Sequence, residues 1–161
     1  MEFELSHQHR RQMRTVTVLA EPSIVSVERA VARLKAWAEE QGVVVTGRPF
    51  ARVHGRLSLA VHLPIESTVE PEVDSGIVPS GSDPGLIVEV NSVPFGGLQR
   101  IADMLVCELG AESKMAGPPE FHAGTNGWEH GSVALPVVSL PTARARPLAV
   151  MMAKLRPSLV R

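Results

Sequence analysis

One cysteine and a scarcity of aromatic residues are the first limits that this sequence sets. Of its 161 residues, 4% are aromatic, none is tyrosine, and only Cys107 carries a thiol. A single cysteine excludes an internal disulfide. Because Cys107 lies in an apolar helical pattern, we expect a small buried thiol rather than a reactive one.

Long apolar runs and an excess of one charge are absent as well. No stretch approaches the ~20 apolar residues that span a bilayer, and residues 1–11 lack the apolar centre of a secretory signal. The formal net charge is −1, which gives no general attraction to nucleic acid or acidic membranes. We therefore predict a cytoplasmic protein.

What the sequence does contain is a repeat of about 70 residues. Residues 15–20 (TVTVLA) and 86–91 (LIVEVN) are both β-rich, and a proline-containing break follows each of them. An apolar stripe with helical spacing comes next in each copy and ends near Gly42 or Gly110. Its members are Ile24, Val27, Val31, Leu34 and Ala38 in the first copy, and Phe95, Leu98, Ala102, Leu105 and Leu109 in the second.

Two shorter segments complete each copy. Residues 50–54 and 120–123 are predicted strands, and a glycine follows each of them. Residues 57–63 (LSLAVHL) alternate with period two, which predicts a half-buried strand with His62 on its polar face. Residues 132–140 are a looser counterpart, in which Pro136 favours an edge strand or a bulge.

Each copy is therefore interpreted as a βαββ unit. We predict an α+β fold in which tandem duplicated units share one antiparallel sheet, with two long helices on one face and a ligand groove at the pseudo-twofold seam. A non-repetitive α+β domain is the alternative. The predicted organisation is a flexible leader (1–13), a first repeat (14–65), an acidic crossover loop (66–85), a second repeat (86–141) and a basic tail (142–161).

This element order resembles the GyrI-like family, also called AraC-type or bacterial transcription-activator effector-binding domains. The resemblance spans residues 15–141 and is most specific at residues 34–50 (LKAWAEEQGVVVTGRPF) and 117–121 (GPPEF). It implies SHS2-like βαββ units around a central groove that binds lipophilic, often cationic, compounds. For some family members it also implies gyrase inhibition, or hydrolysis of strained cyclopropane-bearing natural products.

Two carboxylates are candidate ligand-binding residues. Glu120 follows two prolines and enters a short strand, so a rigid segment holds it. We expect an apolar cleft to raise the pKa of its carboxyl, a cost that an incoming cation would relieve. Glu89 stands where the first repeat has Val18, and we expect it to face either the groove or an arginine. The alternative for each is a solvent-exposed strand residue.

Four aromatic residues are candidate walls of the ligand groove, where they would add cation–π attraction. Trp37 lies off the main stripe of its helix, and core packing is its alternative role. Phe121 directly follows Glu120, and Phe50 is the residue of the first repeat that aligns with Glu120. Trp128 lies in a glycine-rich segment (124–131), which is typical of a lid or contact residue.

The remaining chemistry-bearing residues do not form a recognisable catalytic or metal site. Glu129 and His130 are adjacent, so on an extended chain they point in opposite directions. There is no Gly-x-Ser-x-Gly elbow, phosphate loop or dinucleotide fingerprint. The histidines lack the spacing of metal ligands. We expect neither a metal nor a cofactor.

The predicted function is small-molecule binding, as a stand-alone sensor or sequestering protein for lipophilic, cationic, drug-like compounds, with a link to transcriptional regulation. About 14 residues precede the first strand, fewer than a helix-turn-helix module needs, so we expect no direct DNA binding. We expect no membrane partner. The alternatives are a hydrolase of cyclopropane-bearing natural products, or a protein-interaction role such as gyrase modulation through the basic tail or acidic loop.

Overall fold

The computed structural model of the chain describes residues 5–66, 70–109 and 115–138. Short 3₁₀ turns occur at Val73–Ser75 and Phe95–Gly97. The predicted α+β class is confirmed, and the strand pairs with a described register are antiparallel. In chain order the elements are β1 Leu5–Arg10, β2 Met13–Ala20, α1 Ile24–Gln41, β3 Phe50–Val53, β4 Leu59–Ile65, β5 Val78–Ser82, β6 Gly85–Pro94, α2 Leu98–Leu109, β7 Glu120–Gly124 and β8 Gly127–Val137.

The chain divides into two compact units. Unit I comprises residues 11–84, and unit II comprises the described residues of 1–10 and 85–161. The strand order is β3-β4-β2-β5 in unit I and β1-β6-β8-β7 in unit II. Each unit contains a βαββ segment, β2-α1-β3-β4 or β6-α2-β7-β8, in the element order that the sequence predicts. The duplication itself and the groove between the repeats stay predictions.

In unit I, α1 begins and ends where its sequence predicts. The Ser23 hydroxyl accepts a hydrogen bond from the Ser26 backbone N–H at 3.2 Å and so caps the first turn. Gly42 has φ +65°, the left-handed conformation that ends a helix with least strain when the residue is glycine. The buried stripe is Val27, Ala30, Val31, Leu34, Trp37 and Ala38. Trp37 therefore lies on the stripe, and its prediction as an off-stripe residue is wrong.

The β4 strand of unit I lies between β3 and β2, and all seven of its residues are buried. The prediction of a half-buried strand is therefore wrong, because the residues on both faces of β4 are buried. Val61 and Leu63 pair with Val18 and Val16 to form the apolar face of the unit I sheet. His62, predicted on a polar surface, is only 2% exposed.

In unit II, α2 follows a 3₁₀ turn, and this turn contains Phe95, the first residue of the predicted stripe. Leu98, Ile101, Ala102 and Leu105 are the buried residues of α2, at the predicted helical spacing. Cys107 is exposed, so the expectation of a buried thiol is wrong. Cys107 lies two residues beyond Leu105. Two residues correspond to a rotation of about 200° around the helix, so Cys107 is on the side opposite the buried stripe.

Two segments outside the predicted βαββ repeats contain strands. Leu5–Arg10, within the predicted flexible leader, forms β1 and pairs with β6, and β2 begins at Met13 rather than after the leader. Val78–Ser82, within the predicted crossover loop, forms β5 and pairs with β2. The predicted basic tail, 142–161, lies outside the described residues. Neither described helix has the length and apolar character needed to cross a membrane.

Pro136 lies in a strand with a neighbour on each side, so β8 is not an edge strand, whereas the alternative, a strand with a bulge, agrees with the register shift in the β7–β8 pairing. β8 is between β6 and β7 in unit II, and Pro136 is opposite Ile87 of β6. The pairing with β7 ends at Ala134, and the Pro136 carbonyl accepts a hydrogen bond from the Ala116 N–H at 2.9 Å. The missing proline N–H therefore falls beyond the end of β7, where the ladder does not need it.

The burial of β4 predicts a large difference between two leucines of unit I. We expect Leu63→Ala, at a site with no exposure, to lower the free energy of unfolding by roughly 2–5 kcal/mol, because it deletes core contacts and leaves a cavity. The matched control is Leu57→Ala, at a site that is 82% exposed, with an expected change within about 0.5 kcal/mol. Urea unfolding of both variants measures this, and equal losses would contradict the core assignment.

Candidate functional site

A row of four residues crosses the unit II sheet and brings the two predicted carboxylates onto one face. Ser6 of β1 is opposite Glu89 of β6, Glu89 is opposite Ala134 of β8, and Ala134 is opposite Glu120 of β7. Directly opposite residues in antiparallel strands point to the same face. Only the methyl side chain of Ala134 separates the two acids, whose Cβ atoms are then about 10 Å apart.

Glu120 is at the centre of a buried ion-pair cluster. Its carboxylate has no exposed surface, and its Oε1 atom accepts a hydrogen bond from Arg10 Nη1 at 2.6 Å. His122 Nε2 lies 3.1 Å from the same oxygen. His122 is two residues beyond Glu120 on β7 and therefore shares its face. The cluster joins the two outer strands of unit II, β1 and β7, across β6 and β8.

This cluster reverses the predicted protonation behaviour of Glu120. Burial is the largest single influence and raises its pKa, but the hydrogen bonds and charges of His122 and Arg10 together outweigh it. They lower the pKa of the carboxyl from its usual 4.5 to about 2. The expectation of a raised pKa is therefore wrong, because the apolar cleft that it assumed is a site with two basic partners. Glu120 is a carboxylate at neutral pH.

The aromatic residues near Glu120 lie on the other side of the sheet. Phe121 follows Glu120 in β7, and successive strand residues point to opposite faces. Its ring is fully buried and contacts Phe95 edge-on, with 5.3 Å between ring centroids. Trp128 stacks on Phe121 at 6.2 Å. Phe121 and Trp128 are buried core residues and Phe95 is half-buried beside them, so this strand does not combine Glu120 and Phe121 in one binding surface.

Trp128 is not placed as a lid. It lies in β8, directly after the turn at residues 125–126, and is only 7% exposed. The glycine-rich segment that contains it is the tight β7–β8 hairpin. Two of its glycines, Gly124 and Gly131, approach the opposite strand so closely that an added Cβ would lie 2.5 Å or less from a carbonyl oxygen. Glycine in this segment serves close strand approach rather than loop motion.

Glu89 is the second acid of the row and is more accessible than Glu120. It is partly exposed, and Gln8 Nε2 donates a hydrogen bond to its Oε2 at 3.4 Å. Gln8 is on β1 and on the same face as Arg10, two residues further along. β1 therefore supplies a neutral donor to Glu89 and a cation to Glu120.

Trp37 and Phe50 belong to unit I. Trp37 is a core residue of α1, in agreement with its alternative role. Phe50 is buried in β3 opposite His62, and their rings stack with centroids 5.0 Å apart and an angle of 3°. The Arg52 guanidinium lies 5.5 Å from the Phe50 centroid and hydrogen-bonds Ser82 Oγ.

The histidine of that stack is itself held by a buried hydrogen bond. His62 Nδ1 and Thr15 Oγ1 are 2.8 Å apart, and Thr15 has no exposed surface. A buried imidazole needs such a partner, because burial without one would cost more than the stacking contributes. Phe50 thus belongs to a polar and aromatic network within unit I.

Sequence analysis missed Arg10, His122 and His62 as members of these clusters. His122 had a usable signal, since its i, i+2 spacing from Glu120 on a predicted strand places both on one face. β1 shows no apolar alternation, so nothing local marked Arg10 as part of a sheet. His62 was assigned to a polar face because its strand was expected to be covered on one side only.

A separate cleft of about 830 Å³ lies in unit I. None of the six predicted site residues lines it, and its open, mostly polar surface lacks the apolar walls of a typical small-molecule site. Within the part of the chain that the structure describes, no three potential metal-ligating side chains come together. The residues lining the cleft are Gln12, Met13, Arg14, Thr46, Ile65, Glu66, Ser80, Gly81, Ser82 and Asp83.

No protein-family model and no curated protein matches this sequence. Solved structures do match it by fold. EcmrR in the cryo-EM structure of the EcmrR–DNA complex in EcmrR-RPo has a TM-score of 0.67 and 11% identity, covering 85% of this chain and 58% of that chain. This chain therefore spans less than two thirds of that protein's length.

Two shorter structures match over most of their own length. The crystal structure of the EcmrR C-terminal domain has a TM-score of 0.63 and 11% identity, with 85% of this chain and 98% of that chain covered. A hydrolase from Listeria innocua has a TM-score of 0.56 and 13% identity, with 84% and 92% covered. At such identities the likeness shows the fold alone. That fold is compatible with a small-molecule-binding domain.

The lowered pKa of Glu120 predicts a specific acid dependence of stability. Because this pKa is lower in the folded protein than in the unfolded chain, ionised Glu120 stabilises the fold above pH ~4.5, and the stabilisation is lost as the pH falls towards 2. We expect Glu120→Gln to lower the free energy of unfolding by roughly 3–5 kcal/mol at pH 7, because Arg10 is left buried without its anion. The difference from wild type should narrow below pH 4.5.

Glu89→Gln is the control for this prediction, since Glu89 is an acid of the same row but is partly exposed. We expect it to change stability by less than about 1 kcal/mol at pH 7. Denaturant unfolding between pH 2 and 7 measures both variants. A Glu120→Gln profile parallel to that of wild type at every pH would contradict the ion-pair assignment.

Proposed function

We propose that this chain is a small-molecule-binding domain of the GyrI-like, effector-binding type, and that its ligand is a lipophilic organic cation. The observation that carries the proposal is the row in which Glu89 and Glu120 share one face of the unit II sheet. The two acids share one sheet face with only an alanine between them, and Arg10 is the ion-pair partner of Glu120, so Glu89 is the negative charge of the row that a cation can meet. The fold shared with the EcmrR C-terminal domain supports the same reading.

The arrangement of the row favours a ligand that lies along it. Glu89 is the accessible carboxylate. Its hydrogen bond from Gln8 is long, and because Gln8 is neutral it does not compensate the charge of Glu89. Ala134, between the acids, has no exposed surface, so a ligand that lies along the row would have to displace the side chains that cover it. An organic cation placed there would gain attraction from Glu89 first, because Glu120 already has two basic partners.

The proposed biological role is that of a sensor or sequestering domain in the cytoplasm, with a link to transcriptional regulation. In the described residues each helix is followed by strands of its own unit, so α1 and α2 do not form a helix-turn-helix pair. Other partner surfaces in the proposal are the acidic segment 66–85 and the basic tail 142–161.

A hydrolase is the second candidate. The contact between Glu120 and His122 favours it, because a carboxylate and an imidazole 3.1 Å apart are groups used for general acid–base chemistry. The fold similarity to the Listeria innocua hydrolase points the same way. Glu129 and His130, the adjacent acid and imidazole of the sequence, are both exposed. Turnover of a cyclopropane-bearing compound, lost in Glu120→Gln, would favour this candidate.

The proposal predicts charge-selective binding. In a thermal-shift screen we expect flat cationic dyes to stabilise the protein, and neutral dyes of similar size to have no effect. A ligand at 100 times its dissociation constant contributes about 2.7 kcal/mol. We expect Glu89→Gln to weaken dye binding at least tenfold, because it removes the accessible charge of the row.

The matched control is Glu28→Gln, which removes an exposed acid from α1 of unit I and should leave dye affinity unchanged. Calorimetric titration of wild type and both variants gives the dissociation constants. Equal losses in Glu28→Gln and Glu89→Gln would indicate non-specific attraction and contradict the site. The absence of any cation-dependent shift in wild type would contradict the proposed function.

A further inference from the structure

The Arg10 side chain occupies the position beside the Glu120 carboxylate that the cationic group of a ligand would need. Arg10 is the last residue of β1, and its guanidinium reaches Glu120 across two intervening strands of unit II. The Arg10 side chain is 12% exposed and the Glu120 side chain is fully buried. A basic group carried by the chain itself therefore meets the most deeply buried acid of the row.

We propose that Arg10 is an internal cation that a ligand must replace at Glu120. From this it follows that the Glu120 end of the row selects cations bearing N–H groups, such as amidinium or guanidinium, over quaternary ammonium groups. The inference rests on the proposed function and goes beyond it in naming the chemical class of the cation. It also makes Arg10 an autoinhibitory residue of that site.

The position of Arg10 suits a replaceable group. β1 stands at the end of the strand order of unit II, and within the part of the chain that the structure describes it has a register with β6 alone. The next two residues, Arg11 and Gln12, are exposed and lie outside any strand. The Arg10 Nε atom is buried without a hydrogen-bond partner among the described residues. An unsatisfied buried donor makes the docked state of Arg10 less favourable than its ion pair alone suggests.

The geometry at Glu120 explains the preference for N–H groups. Its Oε1 atom accepts from Arg10 Nη1 at 2.6 Å and also lies 3.1 Å from His122 Nε2. A buried carboxylate is stabilised mainly by short charge-assisted hydrogen bonds. Amidinium and guanidinium groups restore the bond that Arg10 makes. A quaternary ammonium has no N–H, so its binding would leave that oxygen with one donor fewer.

Two probes and two variants test this inference. Benzamidinium and benzyltrimethylammonium both carry a phenyl ring and one positive charge, but only benzamidinium donates hydrogen bonds. We expect Arg10→Ala to bind benzamidinium at least tenfold more tightly than wild type does, with no comparable gain for benzyltrimethylammonium. Arg11→Ala is the matched control, an exposed neighbour whose substitution should leave both affinities unchanged. Addition of Glu120→Gln to Arg10→Ala should abolish the gain.

A second readout and a second variant guard against a folding failure. Arg10→Ala should melt at a lower temperature than wild type, and benzamidinium should recover more of that loss than benzyltrimethylammonium does. If Arg10→Ala does not fold, Arg10→Gln removes the same charge while keeping a hydrogen-bond donor, and the same tenfold gain is expected. Equal affinity of wild type and the folded Arg10 variant for benzamidinium would overturn the inference. So would an equal gain for both probes.

The outcomes separate this inference from the proposed function. In one outcome, cationic dyes bind wild type, Glu89→Gln weakens that binding, and substitution of Arg10 does not change it. This outcome overturns the role of Arg10 and leaves the proposed function intact. If neither wild type nor any Arg10 variant binds a cationic dye or either probe, the proposed function fails, and the inference fails with it.

Discussion

The buried carboxylate of Glu120 is the constraint on which unit II depends. A charge without solvent contact must be paired and hydrogen-bonded, or it will be neutralised. The chain meets this requirement with His122, from the same strand, and with Arg10, from the opposite end of the strand order. The ion pair thereby connects β1 to β7, which makes it a structural contact. It also keeps Glu120 ionised, and so it determines the charge that a ligand would encounter there.

The two-residue period of a strand separates the chemistry of unit II into two layers. The face that carries Glu89, Glu120 and His122 is polar, whereas Phe121 and the rings that it contacts lie on the other face. Recognition of a cation in this unit would therefore rely on carboxylates and hydrogen bonds more than on an aromatic cage. Unit I differs, because its buried polar network of Thr15 and His62 is combined with the Phe50 ring on a single face.

The fold by itself carries little information about activity. The structures that share it include a protein in complex with DNA, an isolated C-terminal domain and a hydrolase. One scaffold thus supports different roles, and function has to be argued from the site. In this chain the distinguishing feature is the internal pairing of an acid that would otherwise face a ligand. In the proposed site, that pairing would limit which cations can enter and would connect ligand binding to the position of β1.

The sequence alone determined the elements that local chemistry specifies. The apolar stripe and the terminal glycine delimit α1, and β-rich segments mark β2 and β6. What the tertiary structure decided is which strands are neighbours. β1 was missed because its residues show no apolar alternation, and its arginine meets an acid 110 positions away. Periodicity states which residues of one strand share a face, but it contains no information about the strand that will pair beside it.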